Sequence, residues 1–199
     1  MKKSRVFKIK EQIKNIYNAT KAFVLLKRSK RTRLMTKPLK ERIMLAVTSV
    51  NGCNMCSYVH TKIALKSGMS SKQIQELLSG DDTKVPEEEA VAVAFATHFA
   101  DSKESPEKEV IDRIIKEYGN QKATLIFAAC QMITMTNGMG IALDDSYHRI
   151  KLKGNKESNI VIELLNPLLT MPLFIPLVIY HFIGSLLPGK ISFKEIEVH

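Results

Sequence analysis

A chain of 199 residues with 45% hydrophobic content is long enough to bury the core of one domain, with or without appended arms. Three cysteines in a lysine-rich chain with no cleavable signal exclude a secreted disulfide framework and point to a reducing, cytoplasmic setting. The net charge of +10 is unevenly placed: residues 1–40 carry 14 Lys or Arg against one acid, Glu11, while the remainder carries 16 basic and 19 acidic groups. Low Gly and Pro, no Trp, and many Ala, Met, Leu, Lys and Glu favour helices over sheet.

Residues 1–35 form a basic N-terminal arm. Val6, Ile9, Ile13, Ile16, Tyr17, Phe23 and Val24 recur at near-helical spacing, with Lys8, Lys10, Lys14 and Lys21 falling largely between them. This predicts a basic amphipathic helix, packed on the domain with its charges solvated. An anionic membrane surface is a further partner for such an arm. The aromatic–basic interleaving of single-strand binders is missing, so nucleic acid is not an expected partner.

A helical domain is expected over 36–150. Leu39, Ile43, Met44 and Val47 predict a helix from Pro38 to Val50, with Glu41 in its first turn. Asn51-Gly52 breaks it, and a second helix runs to about Lys66 before Ser67-Gly68. Ser70 to Gln73 reads as a capping box for a short helix through Leu78, followed by the polar loop Gly80–Lys84. Pro86 and Glu87–Glu89 open a helix to about Ala100, where the dipole favours first-turn acids. Ser105-Pro106-Glu107 caps another, ending near Tyr118-Gly119, and a long apolar helix spans about Lys122 to Leu143, with a kink possible at Asn137-Gly138. No segment between 38 and 150 alternates like a strand.

Residues 151–199 form an apolar C-terminal arm. Leu164 to Gly189 lacks Asp, Glu, Lys and Arg, enough length to cross a bilayer. Pro167, Pro172 and Pro176 argue against a regular helix there, so the arm is expected to bury itself on the core or a neighbouring subunit. Membrane-surface or re-entrant association and a true span are the alternatives, reinforced by the basic N-terminal arm.

The chemistry concentrates in residues 41–60, which hold Glu41, Cys53, Cys56 and His60. In a helix beginning near Asn51, Cys53, Cys56 and His60 fall at i, i+3 and i+7 on one face. Free backbone N–H groups and the positive dipole end at that helix start favour a thiolate at Cys53. An imidazole and a carboxylate supply a proton acceptor and a group to orient it.

Glu41, eleven residues, Cys53-x-x-Cys56, three residues, His60 resembles the E-x11-C-x-x-C-x3-H signature of AhpD-like alkylhydroperoxidases, in the carboxymuconolactone decarboxylase-like superfamily. The resemblance covers about residues 35–150. It implies an all-α helical bundle assembling as a homo-oligomer, a trimer or hexamer. The implied activity is a thiol-dependent peroxidase in which Cys56 attacks a hydroperoxide, Cys53 resolves the sulfenic acid, His60 relays the proton and Glu41 anchors the relay. No cofactor is implied, only an external thiol or dithiol as electron donor. The dipole alone would instead favour Cys53 as the attacking thiolate. Two other readings stand beside this one: a lactone-acting enzyme of the decarboxylase branch, and a redox-sensing or membrane-associated scaffold.

Many AhpD-type sites resemble C-x-H-C, whereas Met55 holds the position of the second histidine here. Peroxide reduction is then expected to be slower, to draw on Tyr58 or water for the proton, or not to be the main activity. A zinc site is disfavoured, because these donors crowd one helix and no second Cys/His pair follows. Cys130 reads as a small core residue, His98 and His148 as structural or surface groups, and Met132, Met135 and Met139 as packing.

Overall fold

Thr36 starts the first helix of the expected domain: its hydroxyl accepts from Leu39 N at 3.2 Å, with Pro38 in the opening turn. The computed structural model describes residues 4–186, so the first three residues of the basic arm and residues 187–199 of the apolar arm lie outside the described residues. Within that range the order is α1 (Ile9–Arg28), a 3-10 turn (Ser29–Arg31), α2 (Lys37–Asn51), α3 (Asn54–Lys66), α4 (Ser71–Ser79), α5 (Glu87–Asp101), α6 (Lys108–Ile150) and α7 (Ile160–Leu186). Among the described residues there is no β-strand, and the fold is the all-α one expected.

Punctuation follows the sequence closely. Gly52 ends α2 in the left-handed region at φ 71°, and its N–H donates to Thr48 O at 2.8 Å. Ser70 and Gln73 form the predicted capping box on α4. Gly119 (φ 71°, ψ 160°) breaks α6 where the sequence placed a boundary, but helix resumes at once and runs to Ile150, past the expected Leu143. The extra turns are held by contacts with α7, notably Arg149 with Glu163. No kink occurs at Asn137-Gly138. Asn137 Oδ1 instead accepts from Thr48 Oγ1 at 3.2 Å, and the bare Cα of Gly138 makes room for the side chains of Gln12 and Phe7.

The main core joins α2, α5 and α6 through Leu39, Ile43, Leu45, Phe95, Phe99 and Ile126. Each such side chain contributes roughly 1.5–3 kcal/mol by leaving water. Arg42 on α2 pairs with Glu89 on α5 at 2.5 Å, fixing the rotation of the helix that carries Glu41.

α1 departs from its predicted face. Ile16 and Val24 are buried, but Ile13 and Tyr17 are exposed while Gln12, Asn15 and Thr20 turn inward. The reason is that α1 lies between α6 and α7 and meets polar groups on both. Gln12 Nε2 donates to Met135 O at 3.1 Å and to Thr170 Oγ1 at 2.9 Å.

The expectation of an irregular C-terminal arm fails: α7 is helical from Ile160 to Leu186 with all three prolines inside it. A proline deprives the carbonyl four residues earlier of its donor. For Pro167 that carbonyl belongs to Glu163, and Ser146 Oγ donates to it at 3.4 Å. Pro172 and Pro176 lie on the exposed side, where their rings crowd no neighbouring helix. The arm is only half buried. Its inner face packs on α1 and α6, with Leu173, Phe174 and Leu177 against Ile16, Ala19 and Met135.

The inner end of α7 is anchored by a fork. Arg149 Nε and Nη2 donate to the two Glu163 oxygens at 2.7 and 2.5 Å, and Nη2 also donates to Ser158 O at 3.0 Å. Hydrogen bonding from Arg149 holds the Glu163 carboxyl below its ordinary value of 4.5. A depressed carboxylate stabilises the fold above its unfolded pKa, and that contribution disappears as pH falls through the lowered value. Urea titrations of wild type and Glu163→Gln at a series of pH values should show wild type more stable above pH 4.5, with the gap closing below it. An equal gap at every pH would mean the charge of Glu163 is not what holds the arm.

Candidate active site

Cys53 and Cys56 are brought together by the tight joint between α2 and α3. Because Gly52 turns the chain in the left-handed region, Cys53 follows in extended backbone (φ −84°, ψ 100°) and becomes the N-cap of α3. The sequence placed it in the first turn; it sits one step earlier. In that position its sulfur accepts from Cys56 N at 3.3 Å, so the capping bond itself favours negative charge on Cys53. The two cysteines form a disulfide, with Cys53 1% and Cys56 7% exposed. Cys56 Sγ lies 3.6 Å from Thr136 O on α6, an acceptor for the thiol proton once the bond is reduced.

The floor of the site is Gly140, which the sequence reading did not single out. A Cβ there would lie 2.8 Å from Cys53 Sγ and 3.1 Å from Cys56 Sγ. Two glycines separated by one residue inside a long helix, Gly138 and Gly140, are the signal that could have found it, since interior glycine costs helix stability without a packing reason. Beside this contact Asn54 Nδ2 donates to Asp144 Oδ2 at 3.2 Å, a second tie from α3 to α6.

Glu41 and His60 meet across α2 and α3. Glu41 Oε2 lies 2.7 Å from His60 Nδ1, and Lys40 Nζ is 3.5 Å from the other oxygen. Because α2 begins at Lys37, Glu41 stands beyond the first turn, and its side chain is only 1% exposed. A solvated first-turn acid is therefore excluded. A buried carboxylate can only accept, so a neutral His60 must carry its proton on Nδ1, leaving Nε2 with a free lone pair. His60 follows Cys56 by four residues, one helical turn away on the same face of α3.

The remaining candidates fall outside this group. Met55 is exposed and supplies no proton, and Tyr58 faces solvent with Lys62 Nζ 4.1 Å above its ring. Cys130 is free and fully buried, and burial pushes its thiol far above the ordinary range. His98 pairs with Glu107, and His148 Nδ1 lies 2.8 Å from Asp144 O. Among the described residues no three or more His, Cys, Asp or Glu converge as a metal site.

Residues 22–98, from the middle of α1 to near the end of α5, match the sequence model of the Carboxymuconolactone decarboxylase family. The match contains Glu41, Cys53, Cys56 and His60 but not Gly140. No curated protein and no solved structure matches the chain.

Two outcomes follow from this packing. Gly140→Ala would normally strengthen a helix by roughly 1 kcal/mol. Here the methyl meets both sulfurs, so we expect a net loss of about 1–3 kcal/mol by denaturant unfolding. A stabilised variant would contradict the close approach. Secondly, Cys130 should react with thiol reagents only in denaturant; its modification in the native protein would disprove the burial described.

Proposed function

We propose a thiol-dependent peroxidase that turns over through Cys53 and Cys56, a reading supported by the match of residues 22–98 to the Carboxymuconolactone decarboxylase family model. The observation that carries this reading is a closed Cys53–Cys56 disulfide with an oriented imidazole one helical turn away.

In the reduced enzyme His60 Nε2 takes the proton of the Cys56 thiol, while Glu41 holds Nδ1–H and stabilises the imidazolium. The Cys56 thiolate attacks the terminal oxygen of a hydroperoxide. The S–O bond forms, the O–O bond breaks, and the departing alkoxide takes the proton from His60. That return of the proton lets one histidine serve as both base and acid, which suits a site with Met55 where a second histidine would stand. The Cys53 thiolate, held by the Cys56 N–H, then attacks Cys56 Sγ; the S–S bond forms and the hydroxyl leaves as water after protonation. Two thiols and one hydroperoxide give a disulfide, an alcohol and water.

The division of roles rests on two features. Cys56 is the more exposed sulfur and shares a face with His60, whereas Cys53 is the more enclosed and receives the capping N–H. An external thiol or dithiol restores the reduced state, and no resident cofactor is invoked. The outward side of α3 shows Met55, Tyr58, Val59 and Ile63 beside the site, a surface suited to homo-oligomer contact as a trimer or hexamer. A reducing, cytoplasmic setting fits a dithiol that must be re-reduced after each turnover.

Decarboxylation of a lactone acid, as the family's description states, is the second reading, favoured by the Glu41–His60 pair as an acid–base unit independent of sulfur. Cysteine substitutions separate the two. Stopped-flow mixing of dithiol-reduced protein with an organic hydroperoxide should show rapid loss that disappears in Cys56→Ser. Cys53→Ser should consume one equivalent and form no intramolecular disulfide. His60→Gln should slow the first step by roughly 10²–10⁴. If both cysteine variants match wild type, peroxide chemistry is ruled out and lactone turnover dependent on His60 becomes the reading to pursue.

A further inference from the structure

Helix α7 turns an apolar face outward while placing polar groups beside Leu173, Phe174 and Leu177 on its inner face. Its inner face carries Glu163, Asn166, Thr170, His181 and Ser185, and most of these are occupied by the rest of the protein. Asn166 Nδ2 donates to Phe7 O at 2.9 Å, Thr170 Oγ1 accepts from Gln12, and Ser185 O accepts from Arg28 Nη1 at 2.8 Å. The outer face is one stripe at i, i+3 and i+4 spacing: Leu164, Leu168, Met171, Ile175, Ile179 and Phe182. Leu168, Met171 and Ile175 are 63, 67 and 65% exposed. Two helices among the described residues are long and apolar enough to cross a membrane; α6 is mostly buried in the protein, whereas only 17% of the apolar window of α7 is.

The stripe is continued and framed by α1. The same contacts, Phe7 with Asn166, Gln12 with Thr170 and Arg28 with Ser185, show α1 running alongside α7 in the same direction. Ile13 and Tyr17 are exposed on α1, and the Tyr17 ring meets His181 of α7 with centroids 4.9 Å apart. Lys10 and Lys14 are exposed in the same stretch of α1. Exposed basic groups also stand at both ends of α7: Lys151, Lys153 and Lys156 before it, and Lys27, Arg28, Lys30, Arg31 and Arg33 beside its far end.

We propose that this face binds the surface of an anionic phospholipid bilayer, with α7 lying in the plane of the membrane and its apolar stripe sunk to the headgroup–acyl boundary. Charge complementarity selects the partner. An apolar strip about 27 Å long, framed by cations and with no acid between Leu164 and Ser185, matches an interface of anionic headgroups over hydrocarbon. A crossing orientation is disfavoured by α1, because a bilayer around α7 would also immerse the exposed Lys10 and Lys14. In the plane, those ammonium groups reach the phosphate level while Ile13 and Tyr17 join the buried stripe.

Co-sedimentation of the full chain tests this with vesicles of phosphatidylcholine and phosphatidylglycerol against phosphatidylcholine alone. We expect the protein to pellet with the mixed vesicles, and to bind them on the order of tenfold more tightly than neutral ones. Met171→Lys with Ile175→Lys should abolish pelleting while circular dichroism stays unchanged. Lys30→Gln with Arg31→Gln should weaken binding by about fivefold per charge removed. Wild-type protein that remains in the supernatant with anionic vesicles overturns the proposal, whatever the variants do. So does vesicle binding that survives Met171→Lys with Ile175→Lys. If that double variant instead turns a soluble dimer into a monomer and no vesicle binding occurs, the face is a contact between two copies of the chain.

Discussion

Helices α3 and α6 approach so closely at Gly140 that the two sulfurs occupy the space a side chain would take. The dithiol is therefore wedged between the N-terminus of one helix and the bare backbone of another. Its surroundings follow from this one contact. Cys53 must cap α3, Cys56 must point toward Thr136 O, and the next turn of α3 must carry His60 to the buried carboxylate on α2. Preorganisation of this kind places reacting groups without further ordering at the moment of reaction.

Glu41 illustrates why such a site is held by a core rather than by a loop. A carboxylate with 1% of its side chain exposed is stable only if it is paired, and His60 is its close partner. The position of α2, in turn, is set by apolar contact with α5 and α6 and by the Arg42–Glu89 pair. Core packing and the Glu41–His60 pair thus share one helix.

The opposite side of α6 shows the reverse distribution. Between α1, α6 and α7 the interface includes amides and hydroxyls, with Gln12 bridging Met135 O and Thr170. Apolar side chains displaced from that interface are carried on the outside of α7 and α1. A helix that keeps a continuous apolar stripe exposed on its outer face is suited to a non-aqueous neighbour. The cysteine pair and the α1–α7 layer pack against different surfaces of α6.

Much of this was legible before any coordinates. Capping residues and glycines marked helix ends at Gly52, Ser70 and Gly119, because these signals are local: one side chain meets one N–H, or one residue reaches positive φ. The site set was legible as well, since Cys53, Cys56 and His60 lie within eight residues and helical periodicity alone puts them on one face. Gly140 was not, because its meaning depends on a helix more than eighty residues away coming within a methyl's reach. Three other features escaped for the same reason. The buried side of α1, the continuity of α7 through three prolines and the inward-facing Gln12 all depend on what each helix packs against, and hydrophobic pattern assumes a partner that is apolar. The sequence by itself determined helix content, helix punctuation and the grouping of Cys53, Cys56 and His60, which are properties of short range and fixed period. Only the tertiary structure decided that Glu41 is buried against His60, that a glycine forms the floor of the dithiol, and that α7 turns its apolar side outward, because each depends on which distant surfaces meet.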